Sequence, residues 1–284
     1  MRRTLAILVV VLAVMVQGCS TVQELARAQK PRVTVANARI SGLSFDAVDL
    51  AVDLKVINPN SFSLPLAGLD FDLSLDGRSV LTGNRPQSVT VPAGGQRIIS
   101  LPLSLRFRDL YASVTSLHGR DEATYGLSCG LSFDLPVLGR TKVPVQHAGT
   151  LPMVKLPSLS VSRLHVRDLT LTGATMDIVL SMSNPNAFDL SMKQIGYNLS
   201  INGASWVTGQ SHRTDSIPRK GHGELRIPVS LDFLHIGAGI YDLVRGSSEV
   251  SYQLGGSVGL GTSLPLLQQA TLPLNESGSI RITR

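Results

Sequence analysis

The sequence has no strong excess of charge of either sign. Its 26 Lys and Arg residues outnumber its 20 Asp and Glu residues by only six over 284 residues. Proteins that bind nucleic acid usually concentrate Lys and Arg on one face. A mild excess spread along the chain gives no reason to expect a nucleic-acid partner, and we expect none.

The sequence also lacks an apolar run long enough to cross a membrane as a helix. The run from Leu5 to Val16 has 12 residues, whereas a membrane span needs about 20. Arg2 and Arg3 precede this run and Gly18-Cys19 follows it, which is the order of regions in a signal peptide. We therefore predict a signal peptide over residues 1–18, and its removal leaves a net charge of +4.

The segment Val16-Gln17-Gly18-Cys19 resembles the lipobox of bacterial lipoproteins. Gly18 is the small residue that precedes the cysteine in that motif, although Gln17 departs from the usual small residue. The resemblance implies cleavage between Gly18 and Cys19 and a diacylglyceryl group on the sulfur of Cys19. Ser20 resembles the residue that directs such proteins to the outer membrane. We expect a lipid-anchored protein of the cell envelope, at the outer membrane and facing the periplasm. The alternative is an ordinary secretory signal with an incidental cysteine.

Cysteine is scarce, with two residues in the whole chain. If Cys19 carries a lipid, Cys129 remains alone and cannot form an internal disulfide even in an oxidising compartment. Stability must then come from an apolar core. Cys129 lies in an alternating strand pattern, so we interpret it as a small buried apolar residue, with a reactive thiol as the alternative.

The two halves of the chain repeat each other at an offset of 126 residues. Asn58-Pro59-Asn60 recurs as Asn184-Pro185-Asn186. Other matched turn residues are Asp76-Gly77 with Asn202-Gly203, Thr82-Gly83 with Thr208-Gly209, Pro92 with Pro218, and Pro102 with Pro228. A period this long indicates duplicated domains rather than a solenoid.

Between these turns the apolar residues alternate with polar ones, which is typical of half-buried strands. The pattern over residues 48–56 recurs at 174–182, and later strand patterns recur in the same phase. A short helical pattern follows in each copy, at 110–117 and at 236–244, and ends before a glycine. Alternating strands with closely spaced turn signals predict a β-sandwich.

The predicted fold class is therefore all-β. It consists of two tandem immunoglobulin- or fibronectin-like β-sandwich domains, each with one short helix, after an N-terminal lipoprotein signal peptide. The predicted boundaries are 1–18 for the signal peptide, 19–33 for the lipidated cysteine and linker, 34–155 for the first sandwich and 158–280 for the second.

A strand ending in Asn-Pro-Asn, followed by a hydrophobic strand that runs into a Gly turn, resembles the water-stress and hypersensitive-response (WHy) domain, also called late-embryogenesis-abundant type 2. Both copies carry the motif, and the resemblance covers residues 34–280. It implies a folded, non-enzymatic β-sandwich that is associated with desiccation or other stress and has no cofactor.

The residues of the motif also suggest a structural role by themselves. Proline lacks an N–H group and ends strand pairing, while asparagine caps backbone groups in turns. We therefore interpret two sets of residues as architectural: Asn58, Pro59 and Asn60, and Asn184, Pro185 and Asn186. A direct binding role for Asn58 or Asn184 is the alternative.

No catalytic or metal-binding constellation stands out. Gly126-Leu127-Ser128-Cys129-Gly130 matches the G-x-S-x-G pattern of serine hydrolases, but it alternates like a strand, whereas a nucleophile elbow needs a strand that runs into a helix. Six histidines are scattered, with none in an i, i+4 pair or near a cysteine at ligand spacing. We expect no enzyme activity, no metal and no cofactor.

One loop is rich in basic residues, among them Arg213, Arg219 and Lys220. The simpler interpretation is a solvated loop. The alternative is a contact with anionic lipid headgroups, which a membrane tether would bring close.

Taken as a whole, the sequence predicts a stress-associated envelope lipoprotein, tethered to a membrane, that binds or shields other surfaces. One alternative is a periplasmic carrier or scaffold for lipid or another apolar ligand. The other is a module that binds envelope proteins, since exposed sandwich edges can accept a strand.

Overall fold

The structure is a computed structural model that describes residues 28–85, 89–136, 138–212, 214–236, 240–245 and 249–284. The predicted signal peptide, the cleavage site between Gly18 and Cys19, and Arg213 lie outside the described residues. Within them the chain forms two compact units, the first built mainly on Ala47–Met153 and the second mainly on Val154–Arg284.

The first unit contains eight of the described strands. Their bounds are β1 (Arg32–Leu43), β2 (Ala47–Ile57), β3 (Leu64–Leu75), β4 (Arg78–Arg85), β5 (Val89–Val91), β6 (Gln96–Arg106), β7 (Glu122–Leu135) and β8 (Gly139–Pro152). One sheet has the order β1-β2-β6, and the other has the order β4-β3-β7-β8 with β5 paired to β3. Helix α1 (Phe107–Ser113) and a 3-10 turn (Thr115–Leu117) connect β6 to β7.

The second unit repeats this arrangement strand for strand. Its elements are β9 (Ser158–Leu169), β10 (Gly173–Ser183), β11 (Leu190–Ile201), β12 (Ala204–Ser211), β13 (Asp215–Ile217), β14 (His222–Asp232), α2 (Phe233–Ile236), α3 (Ile240–Arg245), β15 (Glu249–Thr262) and β16 (Gln269–Thr283). The strand groups β9-β10-β14 and β12-β11-β15-β16 correspond to the two sheets of the first unit, and a short parallel pairing between β16 and β9 joins them. The prediction of an all-β fold in two tandem units is confirmed.

Alternation in the sequence explains the layering. Strand β2 places Val48, Leu50, Val52, Leu54 and Val56 on its buried face and half-buried residues on the other. Because successive side chains of a strand point to opposite faces, each sheet has one apolar face, and the core of each unit forms where these faces meet. The tight turns also follow the sequence, since Asp76 and Asn202 adopt the positive φ angles of 47° and 48° that favour two-residue hairpins.

The repeat is not uniform, because its offset changes after the helical connection. Leu73 pairs with Leu127 and Leu199 pairs with Leu254, so β7 and β15 are offset by 127 residues rather than 126. Added residues in a surface connection leave strand pairing intact. In the first unit the helical pattern at 110–117 is divided into α1 and a 3-10 turn, because Val114 leaves the helical region with φ −125° and ψ 89°.

Candidate functional site

The Asn-Pro-Asn motifs place polar side chains in the core of each unit. Among the residues that the structure describes, the buried polar side chains are Asn58, Asn60, Asn184 and Asn186, each at most 6% exposed. Burying an amide without partners is costly, so the contacts of these four side chains decide what the motif does.

In the first unit the side chain of Asn58 joins two turns. Its Nδ2 donates to the carbonyls of Phe62 (2.7 Å) and Pro92 (3.1 Å), with the carbonyl of Val91 at 3.4 Å. Its Oδ1 accepts hydrogen bonds from the backbone N–H and from the Nδ2 of Asn60, both at 3.0 Å. The turn after β2 is thereby tied to the turn between β5 and β6.

Asn60 holds the segment that leads into β1. The backbone N–H of Gln29 donates to Asn60 Oδ1 (2.7 Å), and Asn60 Nδ2 donates to the Gln29 carbonyl (2.9 Å). The side-chain amide thus pairs with the backbone of Gln29 as a neighbouring strand would. We call this pairing the leading-segment clamp.

The second unit repeats the network. Asn184 Nδ2 donates to the carbonyls of Phe188 (2.8 Å) and Pro218 (3.1 Å), with that of Ile217 at 3.4 Å. Asn186 forms the clamp with Lys155, through the Lys155 N–H at 2.8 Å and the Lys155 carbonyl at 2.8 Å. In both units the clamp spans 31 residues.

The network uses the hydrogen-bonding capacity of Asn58 and Asn184 inside the fold. An amide side chain offers two N–H donors and one carbonyl acceptor, and in both residues donors and acceptor are engaged by neighbouring turn atoms. These side chains are therefore structural ties. The sequence did not indicate the role of Gln29 and Lys155, although Pro31 and Pro157 two residues later repeat at the same offset.

The basic loop lies beside the second motif. Lys220 adopts φ +52° in the turn between β13 and β14, its Nζ donates to the Pro185 carbonyl (3.0 Å) and its N–H donates to the Asn186 carbonyl (3.0 Å). Arg219 is exposed, and its N–H donates to Asp189 Oδ1 (2.8 Å). The structure brings Arg219 and Lys220 into one turn, and their contact with anionic lipid stays a prediction.

The G-x-S-x-G pattern lies inside β7, which is paired on one side to β3 and on the other to β8. It therefore has no strand-to-helix turn of the kind that exposes a nucleophile. Cys129 is buried, and burial raises the pKa of its thiol to about 11, with the negative charge of Asp70 acting in the same direction.

Two kinds of site are absent from the described residues. No group of three or more His, Cys, Asp or Glu side chains is arranged to hold a metal ion. None of the described helices is long and apolar enough to span a membrane.

A pocket of about 290 Å³ opens in the second unit. It lies beside β9 and β16, which are hydrogen-bonded to each other only at Ile282–Leu164 and Thr283–His165. Toward their other ends the two strands are not paired, and the pocket is found there. Its apolar lining includes Leu156, Leu159, Met182, Val258, Leu272 and Leu274, and its polar side chains are Ser158 and Glu276. The sequence carried no signal for this pocket, because its lining comes from segments that are far apart along the chain.

Comparisons with known proteins place the repeat in a known group. The family described as "Late embryogenesis abundant protein" matches residues 53–149 and 179–278. The chain is 26% identical to the late embryogenesis abundant protein Lea14-A of Gossypium hirsutum over 49% of this chain and 90% of that protein. It is 28% identical to the desiccation-related protein At2g46140 of Arabidopsis thaliana over 48% of this chain and 81% of that protein. The solution structure of AT1g01470 from Arabidopsis thaliana aligns with 45% of this chain and 85% of its own, at 23% identity and a TM-score of 0.38.

Proposed function

Because the chain belongs to the late embryogenesis abundant type 2 family, we propose that it is a non-enzymatic protein of the cell envelope that protects other macromolecules during desiccation or related stress. The observation that carries the proposal is the match of the family to both copies of the repeat. Relatives of the chain are named for desiccation. The G-x-S-x-G pattern that suggested a hydrolase lies inside strand β7, paired to β3, and not at a strand-to-helix turn.

The buried hydrogen bonds suit a protein that must stay folded while water is withdrawn. A surface polar group loses its partner when water leaves, whereas a group paired inside the fold keeps it. The four motif asparagines are paired in this way in both units. Cys129 is a free thiol, so no disulfide contributes within the part of the chain that the structure describes. A folded surface that persists at low water content can separate other proteins and limit their aggregation.

We further propose that Cys19 carries a lipid and that Gly18 precedes the cleavage site, so the protein is anchored to the outer membrane and faces the periplasm. The support is the order of basic, apolar and small residues before Cys19. Arg213, Arg219 and Lys220 would then contact anionic headgroups beside the anchor.

The anchor is tested by fractionating cells that produce the wild-type chain or Cys19→Ala. We expect the wild type in the membrane fraction and Cys19→Ala in the soluble periplasmic fraction, because the substitution removes the sulfur proposed to carry the lipid. A Cys19→Ala chain that has lost residues 1–18 and still stays in the membrane would exclude this anchor.

Protection is tested by drying and rehydrating a sensitive enzyme with the chain or with an equal mass of albumin. We expect more residual enzyme activity with the chain. Equal activity with albumin would argue against the proposed function. A deletion strain complemented with wild type or Cys19→Ala then separates protection itself from its dependence on the anchor.

A further inference from the structure

The pocket of the second unit reaches from the surface into the core. At its mouth Leu156 is 60% exposed, whereas Met182, Val258 and Leu274 at its base are at most 1% exposed. An apolar group that enters the pocket would therefore contact core side chains and leave water. Sites for small ligands are concave and mostly apolar, with a few polar groups that orient the ligand.

The volume of the pocket limits what it can hold. An apolar cavity of about 150 Å³ accommodates benzene, which has six carbon atoms. The pocket of about 290 Å³ is twice as large, so it has room for roughly twelve carbon atoms on the same scale. This corresponds to a single alkyl chain of medium length, or to part of a longer one.

The polar lining indicates the head group. Glu276 is the charged residue of the lining and Ser158 supplies a hydroxyl group. A carboxylate repels a nearby phosphate or carboxylate and favours a cationic group or a hydrogen-bond donor. An anionic amphiphile is therefore a poor fit for this mouth.

The equivalent positions of the first unit carry different side chains. Glu276 lies opposite Leu254 in the β15–β16 pair, and His147 lies opposite Leu127 in the β7–β8 pair. Because Leu127 is the counterpart of Leu254, His147 occupies the position equivalent to Glu276. By the offset of the clamps, Lys30 stands where the second unit has Leu156. The two copies therefore differ at these positions, and the combination of an exposed Leu156 with Glu276 belongs to the second copy.

We propose that this pocket binds one alkyl chain of a lipid whose head group is cationic or an uncharged hydrogen-bond donor, with the head group beside Glu276. The site goes beyond the protective function and does not depend on it, because binding is measured without drying and without the anchor.

The proposal is tested with the mature chain, residues 19–284, carrying Cys19→Ser, so that neither an acyl group nor the apolar run Leu5–Val16 is present. Calorimetric titration with linear alcohols of increasing length should show the dissociation constant falling about fourfold for each added methylene, and levelling off near roughly twelve carbons, where the pocket is full. A peptide-binding pocket would show no such dependence. Adsorption to the protein surface would show no levelling, and either result would overturn the proposal.

Two matched substitutions locate the site. Leu156→Asp places a charge in the mouth and should weaken dodecanol binding at least tenfold. Leu171→Asp makes the same change at a leucine that is 82% exposed and outside the pocket lining, and should alter binding less than twofold. Both leucines are exposed, so neither change disturbs the core. Equal effects of the two substitutions would contradict the assignment.

The head-group preference is tested at neutral pH with dodecylamine, dodecanol and dodecanoate. We expect the protonated amine and the alcohol to bind more tightly than the ionised carboxylate. Glu276→Gln should reduce the difference between amine and carboxylate while leaving the alcohol within about twofold. Tighter binding of dodecanoate to the wild type would refute the role of Glu276.

Discussion

The Asn184 network makes a quantitative prediction for the second unit. Replacing Asn184 by Ala removes its donor bonds to the carbonyls of Phe188 and Pro218 and its acceptor bond from the N–H of Asn186. Each buried polar group left without a partner costs about 1–3 kcal/mol. Some of these atoms are only partly buried and can regain water, so we expect Asn184→Ala to lower the free energy of unfolding by about 4 kcal/mol.

The assay can observe the second unit specifically, because the chain has a single tryptophan. Trp206 lies on β12 and is 5% exposed, so its fluorescence in urea reports the unfolding of its own surroundings. With a slope of about 2 kcal/mol per M urea, a loss of about 4 kcal/mol moves the midpoint of this transition down by about 2 M.

Asn198→Ala is the matched control. Asn198 is exposed on β11, and its side chain accepts one hydrogen bond, from the N–H of Gly255 (3.1 Å). Its replacement should cost less than about 1 kcal/mol, or less than about 0.5 M in midpoint. If Asn184→Ala moved the Trp206 transition no further than Asn198→Ala does, the buried network would not contribute the stability assigned to it.

Three further substitutions or reactions follow from individual residues. Lys220 has φ +52° where the first unit has Gly94 at φ +60°. The strain of a lysine at this φ is about 1 kcal/mol and outweighs the exposed hydrogen bond from Lys220 Nζ to the Pro185 carbonyl, so Lys220→Gly should raise the urea midpoint of the Trp206 transition. A lower midpoint would contradict this. Burial raises the pKa of Cys129 to about 11 from 9.0. At pH 8 the folded Cys19→Ser chain, whose one thiol is Cys129, should therefore contain about a hundredfold less thiolate than the urea-unfolded chain and react at least that much more slowly with a thiol reagent. Equal rates would disprove the burial of the thiol. Hydrogen bonds from Ser100 and Arg39 lower the pKa of Asp53 below 3.8, so the contribution of its carboxylate to stability is present above pH 3.8 and is lost as the pH falls through the lower folded-state pKa. Asp53→Asn should therefore make the acid-induced loss of stability, followed by circular dichroism, less steep. An unchanged profile would rule out this contribution.

The sequence alone determined the features that depend on local spacing. Val48 to Val56 and their counterparts alternate with a period of two, and only a strand places such residues on one face. Asp76-Gly77 and Asn202-Gly203 prescribe tight turns because Asp, Asn and Gly tolerate positive φ. The repeat of these signals predicted two all-β units, and the Asn-Pro-Asn motif pointed to the family.

The tertiary structure decided the contacts between segments that are far apart in the chain. Asn60 and Asn186 each reach a backbone 31 residues earlier, and no local pattern marks Gln29 or Lys155 as the partner. The shift in offset after β6 and β14 became visible only through strand pairing, because a surface connection absorbs an extra residue without changing which side chains face inward. The pocket of the second unit likewise depends on where β9 and β16 cease to pair. Periodicity specifies which face of a strand is apolar, but which strands meet, and where they separate, is decided by the packing of whole sheets.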